Sequence, residues 1–529
     1  MAETMGGTLS SRLQRWEQPL LLGTAGAVLV VVALLPLVQL FAQLSTSGAG
    51  VFSVLASGRP WVLLLHSIGL SVAVTMCALG IGTPLGVLIA RMDLPGRRAL
   101  WLLHAFPMFL PPFVLVLGWF HVIGRQGLLG NETTASMLFS PIGMIAVLSL
   151  AFAPVVTSLV ALAIMGIDAT LEEAARLVAS PWRVVTRILL PAARPALVLS
   201  AIVVFALSLS ELGVPMFLRV DVFPAAVFAR LGGIAYAPGE AFVLVLPLVP
   251  MAILLLFIER RFVDVRSFAV AGLRGMSRSP LPLGGWRTAA TVAGWSLAVL
   301  SNAPMAALAA RAALGDGFAQ LPQWLGQAPW TSLISAAVAA TVIAALSLVL
   351  GHAAARRLRG ATSLDALAML AFVLPASVLG VGLIAVWNRP ATGAIYGSMA
   401  ILVFGYVARY SIVGVRTVAL VVLQSPVHLE EAAAASGAGF TRRLVRIVFP
   451  VNARGIAFAW LLALVFCLRD LESAVLSYPP GGEPLTVRLF TLEANGPTAV
   501  VAALAVTQVA MTAATLALGA LVIPKSRYA

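Results

Sequence analysis

Two stretches decide how this chain is read: EEAARLVASPWRVVTRILLP at residues 172–191 and EEAAAASGAGFTRRLVRIVFP at residues 430–450. Glu173 and Glu431 are 258 residues apart, and Pro191 and Pro450 are 259 apart. Each stretch opens on alanine-rich, helix-favouring sequence. Thr170 stands three residues before Glu173, a capping-box spacing that predicts a helix start. Ser425-Pro426 predicts another, with serine as the cap and proline in the first helical position. Ser180-Pro181 and Gly437-Ala438-Gly439 then break the two helices, and a short basic helix follows to Pro191 or Pro450. The pattern predicts a helix–break–helix elbow in each copy. Small alanines let another surface approach closely, and the glutamates and arginines offer it charge pairs. One copy alone also fits an amphipathic loop lying on lipid; two copies at matching positions favour a docking element.

Further matches extend the repeat in both directions. Leu110-Pro111 and Leu374-Pro375 are each followed at the same spacing by Val-Leu and Gly, at Val114, Leu115 and Gly118 and at Val378, Leu379 and Gly382. Glu211-Leu212 pairs with Asp470-Leu471, again 259 residues on. Three ordered matches indicate duplication. Both copies predict the same number of helices in the same orientation, a parallel repeat about the membrane normal.

Composition sets the surroundings. Of 529 residues, 60% are hydrophobic and 10% charged, and mean hydropathy is +1.01, far from the roughly 25% charged residues of soluble domains. Twelve apolar runs are long enough to cross a bilayer. They centre near residues 31, 76, 111, 153, 206 and 250, then 299, 342, 377, 408, 464 and 510. The net charge of +14 comes from arginines in short loops after even-numbered runs, which fits membrane topology rather than nucleic acid. Both termini are expected in the cytoplasm. The first apolar run is too long for a cleaved signal. The expected organisation is a cytoplasmic start (1–18), a first repeat (19–259, elbow loop 168–195), a linker (260–287), a second repeat (288–523, elbow loop 425–454) and a cytoplasmic end (524–529). Two cysteines, Cys77 and Cys467, exclude a disulfide framework. Five scattered histidines form no metal-ligand set.

The elbows resemble the coupling-loop signature of type I ABC importer permeases: EAA, three residues, Gly, nine residues, Ile-x-Leu-Pro. The second copy matches at Glu431, Ala432, Ala433, Gly437, Ile447 and Pro450, with Phe449 in place of leucine. The first matches at Glu173, Ala174, Ala175, Ile188, Leu190 and Pro191, but is one residue shorter and lacks the glycine. The resemblance covers nearly the whole chain and is greatest to the fused, tandem ferric-iron permeases. It implies an all-α polytopic fold of the MetI-like type, about twelve transmembrane helices as two six-helix repeats in a bacterial inner membrane. It also implies that Glu172, Glu173, Ala174, Ala175, Ala179 and Pro191, with Glu430, Glu431, Ala432, Ala433, Gly437 and Pro450, dock on two copies of a cytoplasmic ABC ATPase. A solute-binding protein would deliver the cargo from outside. ATP and Mg would sit on the ATPase: a P-loop needs a lysine after glycines, and the sole lysine is Lys525. No cofactor and no catalytic residue is expected on this chain.

Ionisable residues inside a membrane are costly and often functional. Glu211 and Asp470, with neighbouring Arg469 and Glu472, are candidates for the pathway; an internal ion pair of Asp470 with Arg469 or Arg409 is the competing reading. Residues 219–240 and 478–496 are candidate receivers of the binding protein, or simply solvated connectors. Ferric iron is the expected cargo, with thiamine, 2-aminoethylphosphonate or polyamine as alternatives. A secondary transporter is the distant alternative, since it has no need of two such elbows.

Overall fold

The computed structural model describes residues 2–46, 53–167, 169–232, 238–263 and 280–522. They are helical, with no strand among the described residues and an isolated bridge from Met92 to Leu281. Most of the expected linker, the C-terminal tail and Asp168 lie outside the described residues.

Eight helices are long and apolar enough to cross a bilayer: Trp16–Ala42, Arg59–Arg91, Pro141–Met165, Gly239–Phe262, Gly284–Leu314, Ala328–Ala355, Met399–Gln424 and Thr498–Val522. Four bent pairs of helices are further candidate crossings, which gives up to twelve when each pair counts as one span. The runs centred near 111 and 377 are therefore not continuous spans. Arg97–Phe109 meets Pro112–Ile123, and Ala361–Val373 meets Ala376–Trp387, each at 106°. A proline pushes the residue before it out of the α region, and Leu110 and Leu374 are indeed extended, with ψ of 152° and 134°. The repeated Leu-Pro is thus a sharp corner.

The repeated glycines beyond those corners have a specific contact. A Cβ at Gly118 would strike the backbone of Pro304, and one at Gly382 would come within 2.9 Å of the Pro36 carbonyl. Trp16–Ala42 and Gly284–Leu314 each carry one of these prolines, so each packs on the broken third span of the opposite half of the chain. Gly118 and Gly382 serve this crossing between halves.

Within each half the tightest pairing joins the second and fourth helices. Arg59–Arg91 lies on Pro141–Met165, where a Cβ at Gly86 would be 2.9 Å from the Thr157 carbonyl. Ala328–Ala355 lies on Met399–Gln424, where a Cβ at Gly351 would be 2.8 Å from the Val415 carbonyl. Small residues let helices approach closely where water supplies no hydrophobic force. The outer surface carries exposed Val62, Leu65, Met76, Ile253, Leu254 and Phe257, as a lipid-facing belt requires.

The two ends of the bundle differ. One gathers the arginine-rich turns and both elbows. At the other, short helices Phe223–Gly232 and Leu485–Glu493 fold back on the bundle. The Phe223 amide donates to Ser67 Oγ (2.8 Å) and the Leu485 amide to Ser332 Oγ (2.7 Å), so the two halves repeat the same tether.

Candidate functional site

Each elbow is a short helix, a break and a second helix: Ala169–Val178 then Pro181–Ala192, and Val427–Ala435 then Phe440–Val451. The caps differ from the sequence reading. Thr170 lies inside the first turn, because the helix begins at Ala169, and its side chain is outside the described residues. Pro426, not Ser425, is the cap of the second helix. Ser425 instead closes the preceding span, donating to the Val422 carbonyl at 2.8 Å.

The breaks explain the missing glycine. Gly437 sits at φ +81°, and Gly437 and Ala438 donate back to Ala434 and Ala433, a left-handed helix end that favours glycine. In the first elbow no left-handed residue occurs among those described: Ser180 is extended, with ψ 155°, and Pro181 opens the next helix. A turn one residue shorter reaches the same place without glycine. Both second helices then widen into one π turn, Val185–Leu189 and Leu444–Val448, just before Pro191 and Pro450. Proline lacks an N–H and crowds the carbonyl four residues back, and a wider turn accommodates both.

The paired glutamates split their roles. Glu172 is 1% exposed and ion-pairs with buried Arg91; Arg176 Nε approaches to 4.0 Å. Glu430 is likewise buried, with Arg356 Nη2 at 2.7 Å and His352 Nε2 at 2.7 Å. Burial acts to raise the Glu430 carboxyl, but the hydrogen bonds from His352 and Arg356 outweigh it and hold the group below the ordinary carboxylate value. The next residues, Glu173 and Ala174, Glu431 and Ala432, are exposed, as is Gly437. Ala175 is buried, Ala433 and Ala179 are half-buried, Pro191 is half-buried and Pro450 exposed. Leu177 and Val178 stand 87% and 85% exposed beside Glu173. Each elbow is therefore pinned by its first glutamate and presents its second. The sequence reading missed the pinning cations; their signal was Arg91 and Arg356 at equivalent ends of the second and eighth runs.

A further ionic network at this end ties the halves together and was also missed. Arg416 pairs with Glu259 (2.7 Å) and Asp365 (3.2 Å), and Arg260 reaches Asp365 at 2.8 Å.

The four pathway candidates do come together. Glu211, Arg469, Asp470 and Glu472 line one cavity with Arg409, Tyr410, Pro111 and Phe113. Its volume of about 20 Å³ admits one water-sized sphere. The two repeated acids do the same local work: Glu211 accepts from the Val214 amide (3.2 Å) and Asp470 from the Ser473 amide (3.1 Å), each starting the short helix after a broken fifth span. The ion pair is neither of those expected for Asp470; Arg409 pairs with Glu472 at 2.7 Å. Arg469 donates to the Met108 carbonyl, beside the first corner. Its counterpart Ser210 accepts from the Ala376 amide at 3.1 Å, beside the second. Asp470 Oδ2 and Arg409 Nε and Nη1 are buried without a hydrogen-bond partner among the described residues.

Fold and elbows together define an all-helical, multi-span membrane protein of the MetI-like permease type. No family model matches the chain. Among curated proteins, the molybdenum transport system permease protein ModB of Escherichia coli is 30% identical over 158 residues, 29% of this chain and 69% of that protein. The ferric transport system permease protein FbpB of Actinobacillus pleuropneumoniae is 25% identical over 397 residues, 70% of this chain and 58% of that protein. The sulfate transport system permease protein CysW of Escherichia coli is 28% identical over 207 residues, 37% of this chain and 70% of that protein. The chain belongs to the family of ABC transport system permeases.

Proposed function

We propose that this chain is the whole membrane pathway of a binding-protein-dependent importer, with 19–259 and 288–523 as its two permease repeats and 260–287 as the link between them. The elbow end faces the cytoplasm, with both termini, because it carries the arginine-rich turns. The membrane is the bacterial inner membrane. Each elbow docks on one of two copies of an ABC ATPase, which hold ATP and Mg. The supporting observation is the split of the paired glutamates: an anchored first residue, and an exposed second residue flanked by alanine and, in the first elbow, by exposed Leu177 and Val178. Such a surface is rigid against its own chain and open to a partner. Residues 219–240 and 478–496 receive the solute-binding protein at the other end. ATPase closure pushes both elbows and rocks the halves, and the narrow central cavity opens alternately to each side.

Ferric iron is the cargo we favour. FbpB matches 70% of the chain where ModB matches 29%, and the central cluster holds three carboxylates against two guanidinium groups. A tetrahedral oxyanion is the second reading, supported by the names of ModB and CysW and by the unpartnered nitrogens of Arg409. Uptake of labelled ferric iron, molybdate and sulfate by proteoliposomes carrying the assembled transporter separates the two. Glu431→Lys is expected to abolish uptake while leaving the protein in the membrane; normal uptake would count against the docking role.

A further inference from the structure

Each elbow is touched by a segment that leads into the first helix of the opposite half of the chain. Glu17 lies at the start of Trp16–Ala42, the helix that crosses onto the C-terminal half. Its carboxylate accepts a hydrogen bond from the Thr441 amide at 3.0 Å. Thr441 is in the first turn of the helix that follows the second elbow's break, where amide groups lack partners within the helix and a carboxylate is favoured. The fit is close: a Cβ at Gly439 would lie 2.6 Å from Glu17 Oε2. Gly439 has φ −62° and ψ 166°, a conformation open to any residue, so its backbone does not require glycine.

The first elbow is touched in a corresponding way. Residues 280–287 lead into Gly284–Leu314, the helix that crosses onto the N-terminal half. The Pro280 carbonyl accepts from Arg176, which lies on the elbow helix itself (3.0 Å). Leu281 exchanges backbone hydrogen bonds with Arg91 (2.7 Å) and Asp93 (3.2 Å), and the Leu283 amide donates to Asp93 Oδ1 (2.9 Å). Arg91 is the cation that pins Glu172.

We propose that Glu17 and the 280–283 segment are cross-braces: each positions the elbow of the opposite half, so that the two elbows move as one unit. Glu17 is the positioning residue of the second elbow. This rests on the reading of the elbows as coupling levers. A brace formed across the halves makes displacement of one elbow pull on the first helix of the opposite half of the chain, which suits a transporter whose two ATPase copies must close together.

The test uses the full transporter, reconstituted with its ATPase and binding protein, and reads solute imported per ATP hydrolysed alongside ATPase retention in pull-down. Glu17→Ala is expected to lower import per ATP roughly fivefold, the equivalent of one lost helix cap, with ATPase retention unchanged. Glu17→Gln, whose amide oxygen accepts the same bond, is expected to restore most of the ratio. Gly439→Ala displaces the carboxylate by collision and is expected to lower the ratio as Glu17→Ala does. The double variant Glu17→Ala/Gly439→Ala is expected to be no worse than either single change. Additive losses, or an unchanged ratio in both single variants, would overturn the brace. Glu431→Lys runs in parallel: if it leaves import intact, the lever reading itself fails, whereas its loss of import with normal Glu17→Ala rejects only the brace.

Discussion

Glu172 and Glu430 occupy equivalent places and are buried alike, yet one is held by Arg91 with Arg176 at 4.0 Å and the other by an arginine and a histidine, both at 2.7 Å. The central cluster diverges much further. Ser210, Glu211 and Gly213 on the N-terminal side face Arg469, Asp470 and Glu472 on the C-terminal side, and only the latter side brings a buried ion pair. Duplication has kept the parts that would meet an identical partner twice, and has let diverge the part that would meet a single solute. A symmetric engine requires equal levers; a solute on the pseudo-axis does not require equal walls.

The largest expected effects lie at the pins. Arg91→Ala leaves Glu172 buried with only Arg176, at 4.0 Å, near it, and breaking such a buried pair costs about 3–5 kcal/mol. Loss of uptake and increased amide exchange over residues 169–178 are the expected readouts. His352→Ala on the other side leaves Arg356 in place and is expected to cost only about 1 kcal/mol, the worth of one hydrogen bond, with uptake largely kept. Equal losses for the two changes would show that the difference between the anchors has no consequence.

The central pair sharpens the other side of the comparison. Arg409→Leu or Glu472→Leu alone strands a buried charge and is expected to destabilise by about 3–5 kcal/mol. The double change to leucine is expected to regain the lost melting temperature, because apolar replacements of a buried pair are often tolerated. If the pair lines the route, uptake stays abolished in that stable double variant. Recovered uptake would make the pair structural only.

Acid should loosen the Glu430 anchor by a smaller effect. The Glu430 carboxyl is held below its ordinary value of 4.5 by its partners. Its contribution is therefore fully present above about pH 4.5 and is lost as pH falls through the lower folded-state value. The amide protection factor over residues 427–435, corrected for intrinsic exchange, is expected to be flat from neutral pH to that point and to fall below it. A comparably small effect is expected at the break: Gly437→Ala places a side chain at φ +81° at a cost of about 1–2 kcal/mol, whereas Ala179→Gly in the first elbow has no left-handed position to relieve. Melting temperatures of the two variants check this.

The elbows were legible because their signal is local: alanine-rich sequence, a breaker, and a proline at fixed spacing. The caps slipped because Ser425 serves the helix before it rather than the one after. The corners were partly legible, since Leu110-Pro111 and Leu374-Pro375 stood out, but a hydropathy window averages across a bend and returns one span. What the glycines meet was not legible at all. Pro304 and Pro36 are far from Gly118 and Gly382 in sequence, and only the exchange of first helices between halves brings them together. The same holds for the division of labour between Glu172 and Glu173, which depends on Arg91, 81 residues away.

The most direct measurement is side-specific cysteine labelling with ATPase cross-linking. Single cysteines replace Leu177 and Ala432 in a background lacking Cys77 and Cys467, in sealed vesicles of known orientation. Both positions are predicted to react only from the cytoplasmic side and to cross-link to the ATPase subunit, one copy each. Labelling of either position from the outside, or full protection without any cross-link to the ATPase, would contradict the account.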